Sequence, residues 1–304
     1  MRIGISGGSN YERLPGQIAQ AEDEGFTSIW FAGAIGADPL TVISVAGHAS
    51  SAAQIELGTS IVQTYPCHPA LMAQRTFATA AALGPGRFTL GLGVSHQMVI
   101  ENYGLSYERP AAHMREYLQI LGPLLRGESV EHAGEFYRFQ AAAGSAPETP
   151  VPILVAALGP VMLRVTGELA DGTITWMTNR RALETHVVPR IQKSAAGAGR
   201  PDPRVVVGLL VGVCDDEAAG REAAGKQFAH YGRLPNYQRI LEIGGIAGPA
   251  EAAVVGDEDS VARELEGFYE AGATDVWVVT VPTGDDRRAS IARTRALLRE
   301  LASA

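Results

Sequence analysis

The chain has 304 residues, 46% of them hydrophobic and 19% charged, and a formal net charge of -8. That length holds one large α/β barrel or two ordinary domains, with enough apolar residues for a sizeable core. The acidic balance argues against nucleic acid and anionic membrane as main partners. Cys67 and Cys214 lie far apart and suggest reduced cytosolic thiols rather than a disulfide framework or metal cluster. Met1-Arg2 leads straight into a strand pattern without an apolar signal region, and a cytoplasmic location is expected. Lys193 and Lys226 are the two lysines beside 23 arginines, a bias associated with GC-rich bacterial genomes.

In chain order, residues 2–6 read as a strand ending at Ser6, and residues 15–25 as a helix stopped by Gly25. A second strand spans 28–32. Asp38-Pro39 then opens a helix to about Ser51 as N-cap and first helical residue. Residues 55–62 form a third strand and 69–83 a third helix. The fourth strand starts at Arg87, with Phe88, Thr89, Leu90, Leu92 and Val94 suited to burial. Gly91 and Gly93 interrupt it at a cost in packing, which makes sense if something flat approaches the backbone. The strand stops at Ser95-His96. The two glycines resemble the start of a dinucleotide fingerprint, but His96 stands where the third glycine belongs, so a Rossmann reading is weak.

Residues 107–126 read as an amphipathic helix and 127–139 as a small hairpin. A strand at 153–157, a helix from Gly159-Pro160 to Asp171 and a strand at 173–177 follow. Beyond them come a helix at 180–196, a strand at 205–213 and a helix at 215–231. Residues 232–256 read as an irregular insertion, 260–272 as a helix, 275–281 as the eighth strand and 287–302 as the last helix. Eight strands alternating with helices predict an α/β fold of the (βα)8 TIM-barrel type. The whole chain, 1–304, is expected to be one domain, with insertions near 97–106, 127–150 and 232–256. A doubly wound open sheet is the alternative; eight consecutive units favour closure.

In such a barrel, chemistry sits at the C-terminal ends of the strands. Those positions are Ser6, Gly33-Ala34, Ser60 to Tyr65, Ser95-His96, Ala157 to Gly159, Met177-Thr178, Cys214 and Pro282-Thr283. Few can ionise. The seven histidines show no metal-ligand spacing, so no metal is expected, and no G-x-S-x-G elbow is present. Backbone amides at Leu158-Gly159-Pro160 could hold a phosphate, an ordinary turn being the alternative. What remains is a glycine-lined, largely apolar cleft suited to a flat redox cofactor.

Several segments together resemble the luciferase-like flavin/deazaflavin oxidoreductase family, whose members are (βα)8 barrels. They are Leu57 to Val62, His68-Pro69-Ala70, Arg87 to Gly93, Arg115-Glu116-Tyr117, Arg126-Gly127-Glu128 and Gly167 to Gly172. The resemblance covers essentially the whole chain. It implies a bulged third strand with a cis peptide at Ser60-Ile61 behind an isoalloxazine-type ring. It also implies ring contacts from Gly93, Val94, Ser95 and His96 and a phosphate at Ala157, Leu158 and Gly159; Ser6, Gly33 and Met177 are further candidate cofactor contacts by their strand-end positions. One branch of the family uses coenzyme F420 as a hydride carrier; the other uses FMN and oxygen, as a monooxygenase. The compact length and the short insertion after the fourth helix resemble the F420 branch.

The sugar-phosphate dehydrogenases of that branch end their second strand with an Asp-His pair, where this chain has Gly33-Ala34. Their acidic residue after the fourth strand is matched by His96. Reduction of a C=C or C=N bond in a small organic substrate therefore fits better, with His96 as proton donor or, alternatively, only a cofactor contact. Tyr65 lies close by; His68 before Pro69 shapes a helix start. Trp30 and Trp176 read as core, and Glu56, Glu101 and Glu116 as solvated or helix-pairing charges. A lyase or isomerase barrel would need a strand-end lysine or paired carboxylates, and neither appears. A cofactor-binding protein without catalysis stays open, as does a homodimer.

Overall fold

The structure is a computed structural model that describes residues 1–33 and 37–303. The chain opens with β1 (Ile3–Ser6), α1 (Leu14–Asp23), β2 (Ser28–Phe31), α2 (Pro39–Ala49), β3 (Glu56–Thr59), β4 (Val62–Gln63) and α3 (Pro69–Leu83). It continues with β5 (Phe88–Gly93), α4 (Gln97–Asn102), α5 (Pro110–Leu125), β6 (Val130–Ala133), β7 (Arg138–Ala141), β8 (Ile153–Val155), α6 (Pro160–Leu169) and β9 (Gly172–Trp176). Next come α7 (Arg180–Ala182), a π turn (Leu183–Val187), α8 (Val188–Gly197), β10 (Arg204–Val213), α9 (Glu217–Phe228) and a 3-10 turn (Tyr231–Arg233). The last elements are α10 (Pro235–Gly244), α11 (Pro249–Ala252), β11 (Val254–Gly256), α12 (Glu258–Glu270), β12 (Asp275–Thr280) and α13 (Arg287–Ser303).

The parallel order β1-β2-β3-β5-β8-β9-β10-β12 returns to β1, so eight strands close into the expected (βα)8 barrel. β4 adds to β5 and β11 to β10 at the rim. Asp38 caps α2 by accepting from Thr41 N, and His68 Nδ1 accepts from Ala70 N at the start of α3. No helix among the described residues is long and apolar enough to cross a membrane.

The lumen is filled in layers. At its floor Arg204 donates to both Glu56 and Asp275 at 2.7–2.9 Å, and Thr89 donates to Glu56 at 2.5 Å. Glu56 is thus part of a partly buried ion cluster around the buried Asp275, contrary to its reading as a solvated charge. Above it Trp30, Leu154, Ile174, Val206 and Trp277 form an apolar cluster. A Cβ at Gly4 or Gly58 would strike Trp30, and one at Gly208 would lie 2.5 Å from Trp277 Nε1. These glycines make room for two indoles inside the barrel.

Three segments differ from expectation. Residues 232–256 are ordered rather than irregular: Pro235 opens α10, and Gly245 at φ 69° closes it in the left-handed region. The insertion at 97–106 contains α4. The helix expected at 180–196 is broken by the π turn, where the helix makes room for Pro189, which lacks an N–H and crowds the preceding turn.

Candidate functional site

The third strand and its neighbour set the site's geometry. Gly58 pairs with Thr89, but Val62 pairs with Leu92, so β3–β4 holds one more residue than β5 across this stretch, which is a bulge. The Thr59 hydroxyl bridges it, donating to Gly91 O at 2.7 Å and accepting from Gly91 N at 2.8 Å. A Cβ on Gly91 would collide with the Thr59 carbonyl, and one on Gly93 would lie 2.8 Å from the Ile61 side chain. The two glycines therefore make room for the bulged neighbour, a constraint the strand pattern alone did not reveal. The Ser60-Ile61 peptide is cis, as the resemblance implied.

β5 is followed by Val94 and Ser95, and Ser95 has φ 62°, a left-handed conformation uncommon without glycine. Its oxygens are held on two sides: Tyr107 Oη donates to Ser95 O at 3.1 Å and Gln63 Nε2 to Ser95 Oγ at 3.2 Å. His96 follows, half-buried, as the N-cap of α4 without a capping side-chain bond. Its ring meets Tyr237 of α10 edge-on at 5.5 Å. Burial, and secondarily the nearby His230, lowers its pKa below the ordinary 6.5 and keeps the imidazole neutral near pH 7. α10 lies over the mouth, since its far end, Gly244 O, accepts from Asn179 Nδ2 beyond β9.

Behind this edge Tyr65 stacks on His113 at 3.8 Å, and His113 Nε2 lies 3.1 Å from Thr64 Oγ1. Burial drives the His113 pKa down to about 4 and that of Tyr65 up to about 12, so both stay neutral. Across the mouth Met177 also has a left-handed φ of 58°. Trp176 is only half-buried and packs on Trp277, Phe228 and Tyr231, so it borders the mouth instead of lying wholly in the core. Ser60 Oγ, Thr178 Oγ1 and Trp277 Nε1 are buried without a hydrogen-bond partner.

Beyond β8, Ala157 is fully buried and Gly159 caps α6 with no side-chain bond, leaving the first amides of that helix to outside partners. A Cβ at Gly159 would meet nothing within 4 Å. His186, carried by the π turn, sits 2.8 Å from the Leu158 carbonyl and is kept neutral by burial, so it donates there and buttresses the loop. Ser6 is exposed at the end of β1, and Gly33 N donates to Ile61 O at 3.3 Å. Ala34 lies outside the described residues. Cys214 turns to α9, its thiol 3.3 Å from Asp216 O, and Thr283 bonds Ser290 of α13; neither joins the site.

Tyr107, His113, His186 and Tyr237 were not singled out from the sequence. His113 carried a usable signal: it shares the buried face of α5 with Met114, Tyr117 and Leu121. Tyr237 carried one too, at helical spacing from Ile240, Leu241 and Gly244.

A closed (βα)8 barrel with its polar strand ends gathered at one mouth defines an enzyme scaffold, here of the oxidoreductase kind. The model of the luciferase-like monooxygenase family matches residues 2–275, and the chain belongs to that family. It is 25% identical to the 5,10-methylenetetrahydromethanopterin reductase of Archaeoglobus fulgidus, over 92% of this chain and 93% of that one. It is 27% identical to the F420-dependent glucose-6-phosphate dehydrogenase of Kineococcus radiotolerans, over 90% and 89%. The solved coenzyme F420 dependent tetrahydromethanopterin reductase of Methanopyrus kandleri shares the fold, with a TM-score of 0.74 over 99% of this chain and 97% of that one at 22% identity.

Proposed function

We propose that this protein is an F420-dependent oxidoreductase, working as a reductase of a C=C or C=N bond in a small organic substrate. One observation carries the reading: His96 is set at the barrel mouth, on a fixed left-handed step of the strand end and without a capping bond. The relatives named for F420 support the choice of coenzyme. The residues present fit a flat ring with a phosphate tail. The partnerless Ser60 and Thr178 hydroxyls offer polar contacts, and the uncapped start of α6 offers amides with open space before them.

In this reading Ser60, Ile61, Gly93, Val94, Ser95 and Met177 hold the ring, with Ser6 and Gly33 on the adjoining strand ends. Ala157, Leu158 and Gly159 hold the phosphate. When bound, the reduced deazaflavin supplies a hydride without oxygen. A double bond that gains a hydride needs a proton at its other atom, and His96 delivers it from its imidazolium form, populated below its lowered pKa, leaving the neutral ring. The lowered pKa of His96 fixes the sign of the pH dependence. The protonated donor disappears as pH rises through a value below 6.5, so the reductive rate falls over that interval. The same neutral imidazole favours a second reading, oxidation of an alcohol with His96 as base, whose rate rises over that interval.

The test is titration with F420 and with FMN, followed by single-turnover hydride transfer against pH. F420 is expected to bind, and His96→Ala to slow turnover by ~10²–10⁴-fold with coenzyme affinity far less changed. Binding of FMN alone, with oxygen consumed, would overturn the assignment. Equal loss of affinity and rate in His96→Ala would reduce His96 to a cofactor contact.

A further inference from the structure

The ordered insertion between β10 and β11 brings a set of rings to the mouth. Trp277 stacks on Trp176 at 5.2 Å, Trp176 meets Tyr231 at 5.9 Å, Tyr231 meets Tyr237 at 5.0 Å, and Tyr237 meets His96 at 5.5 Å. The arc thus runs from the barrel lumen to the residue that carries the proton. Phe228 closes its outer side, 6.0 Å from Trp176. All these separations fall in the range where aromatic pairs attract. Apart from Trp277, every ring in the arc is only partly buried.

We infer that Tyr231 and Tyr237 seat an uncharged, planar conjugated ring of the substrate, holding its reducible bond beside His96. This deepens the proposed function and rests on it. Charge on the arc points the same way. Burial raises the pKa of both phenols, so they stay neutral hydroxyl donors. The cation–π contacts of the described residues lie elsewhere: Arg109 on Phe136, Arg204 on Trp30 and Arg295 on Phe26. No arginine or lysine is among the residues of the arc, and Arg233, on the same turn as Tyr231, is exposed to solvent.

The test is calorimetric titration of the protein, alone and loaded with F420, with three probes: 2-naphthol, its saturated counterpart 2-decalol, and 2-naphthyl phosphate. The naphthol is expected to bind roughly threefold to tenfold more tightly than the decalol, the range of an aromatic pair. Tyr231→Leu and Tyr237→Leu, checked for unchanged melting, should each remove most of that advantage, whereas Tyr231→Phe keeps it. The inference is overturned if the decalol binds equally well, if the phosphate binds more tightly than the naphthol, or if both leucine variants retain full preference. The wild-type comparison of naphthol with decalol decides the matter even if a variant does not fold. Naphthol preference without F420 binding would sink the proposed function and leave the ring seat standing. F420 binding without naphthol preference would sink the ring seat alone.

Discussion

Gly91 and Gly159 are both glycines at the active edge of a barrel, yet they answer different constraints. At Gly91 a methyl group would run into the Thr59 carbonyl, which is backbone and cannot swing aside. Gly91→Ala should therefore destabilise the fold by about 1–3 kcal/mol, read as a lower urea midpoint. At Gly159 the same addition meets open space at φ -80°. Gly159→Val should cost no more than ~1 kcal/mol through its poorer N-cap, while weakening coenzyme binding. Unchanged coenzyme affinity in that variant would remove the loop from the site. The sequence marked the glycines of β5 as breaks in a strand. It could not show what fills the space of a missing side chain, and that proved to be the neighbouring strand.

Among the elements, those with a strong period were legible: the eight barrel strands and the helices between them follow from alternating strand and helix patterns. The insertion at 232–256 was misread because its glycines and prolines look like loop chemistry. There, Pro235 and Gly245 in fact bound a helix at its two ends. Glu116 shows a second limit, since a long-range acceptor leaves no local pattern. Its carboxylate takes N–H groups from Glu135, Phe136 and Tyr137 at 2.9–3.0 Å and approaches His132 at 3.3 Å, pinning the β6–β7 hairpin onto α5. Glu116→Ala should cost about 1–3 kcal/mol and speed amide exchange in residues 134–141. Unaltered exchange in the hairpin would show that other contacts hold it.

For the molecule as a whole, the ion cluster at the barrel floor ties acid stability to the fold. Burial pushes the Asp275 pKa up, but the bonds from Arg204 outweigh it and hold the carboxyl below its ordinary 3.8. A depressed folded-state pKa contributes stability that is complete above the unfolded value and lost as pH falls through the folded one. Urea midpoints should therefore drop below about pH 4, and Asp275→Asn should be less stable at neutral pH with a flatter acid limb. A variant with the wild-type acid limb would assign the loss to other carboxylates. The same floor, with Trp30 and Trp277 packed above it, also has a kinetic meaning. Among the described residues, a barrel plugged from below opens toward the mouth that α10 overlies. Under the proposed function, whatever lodges deeper must enter first and leave last. Coenzyme and substrate then queue in a compulsory order, and excess substrate becomes an obstacle to coenzyme exchange.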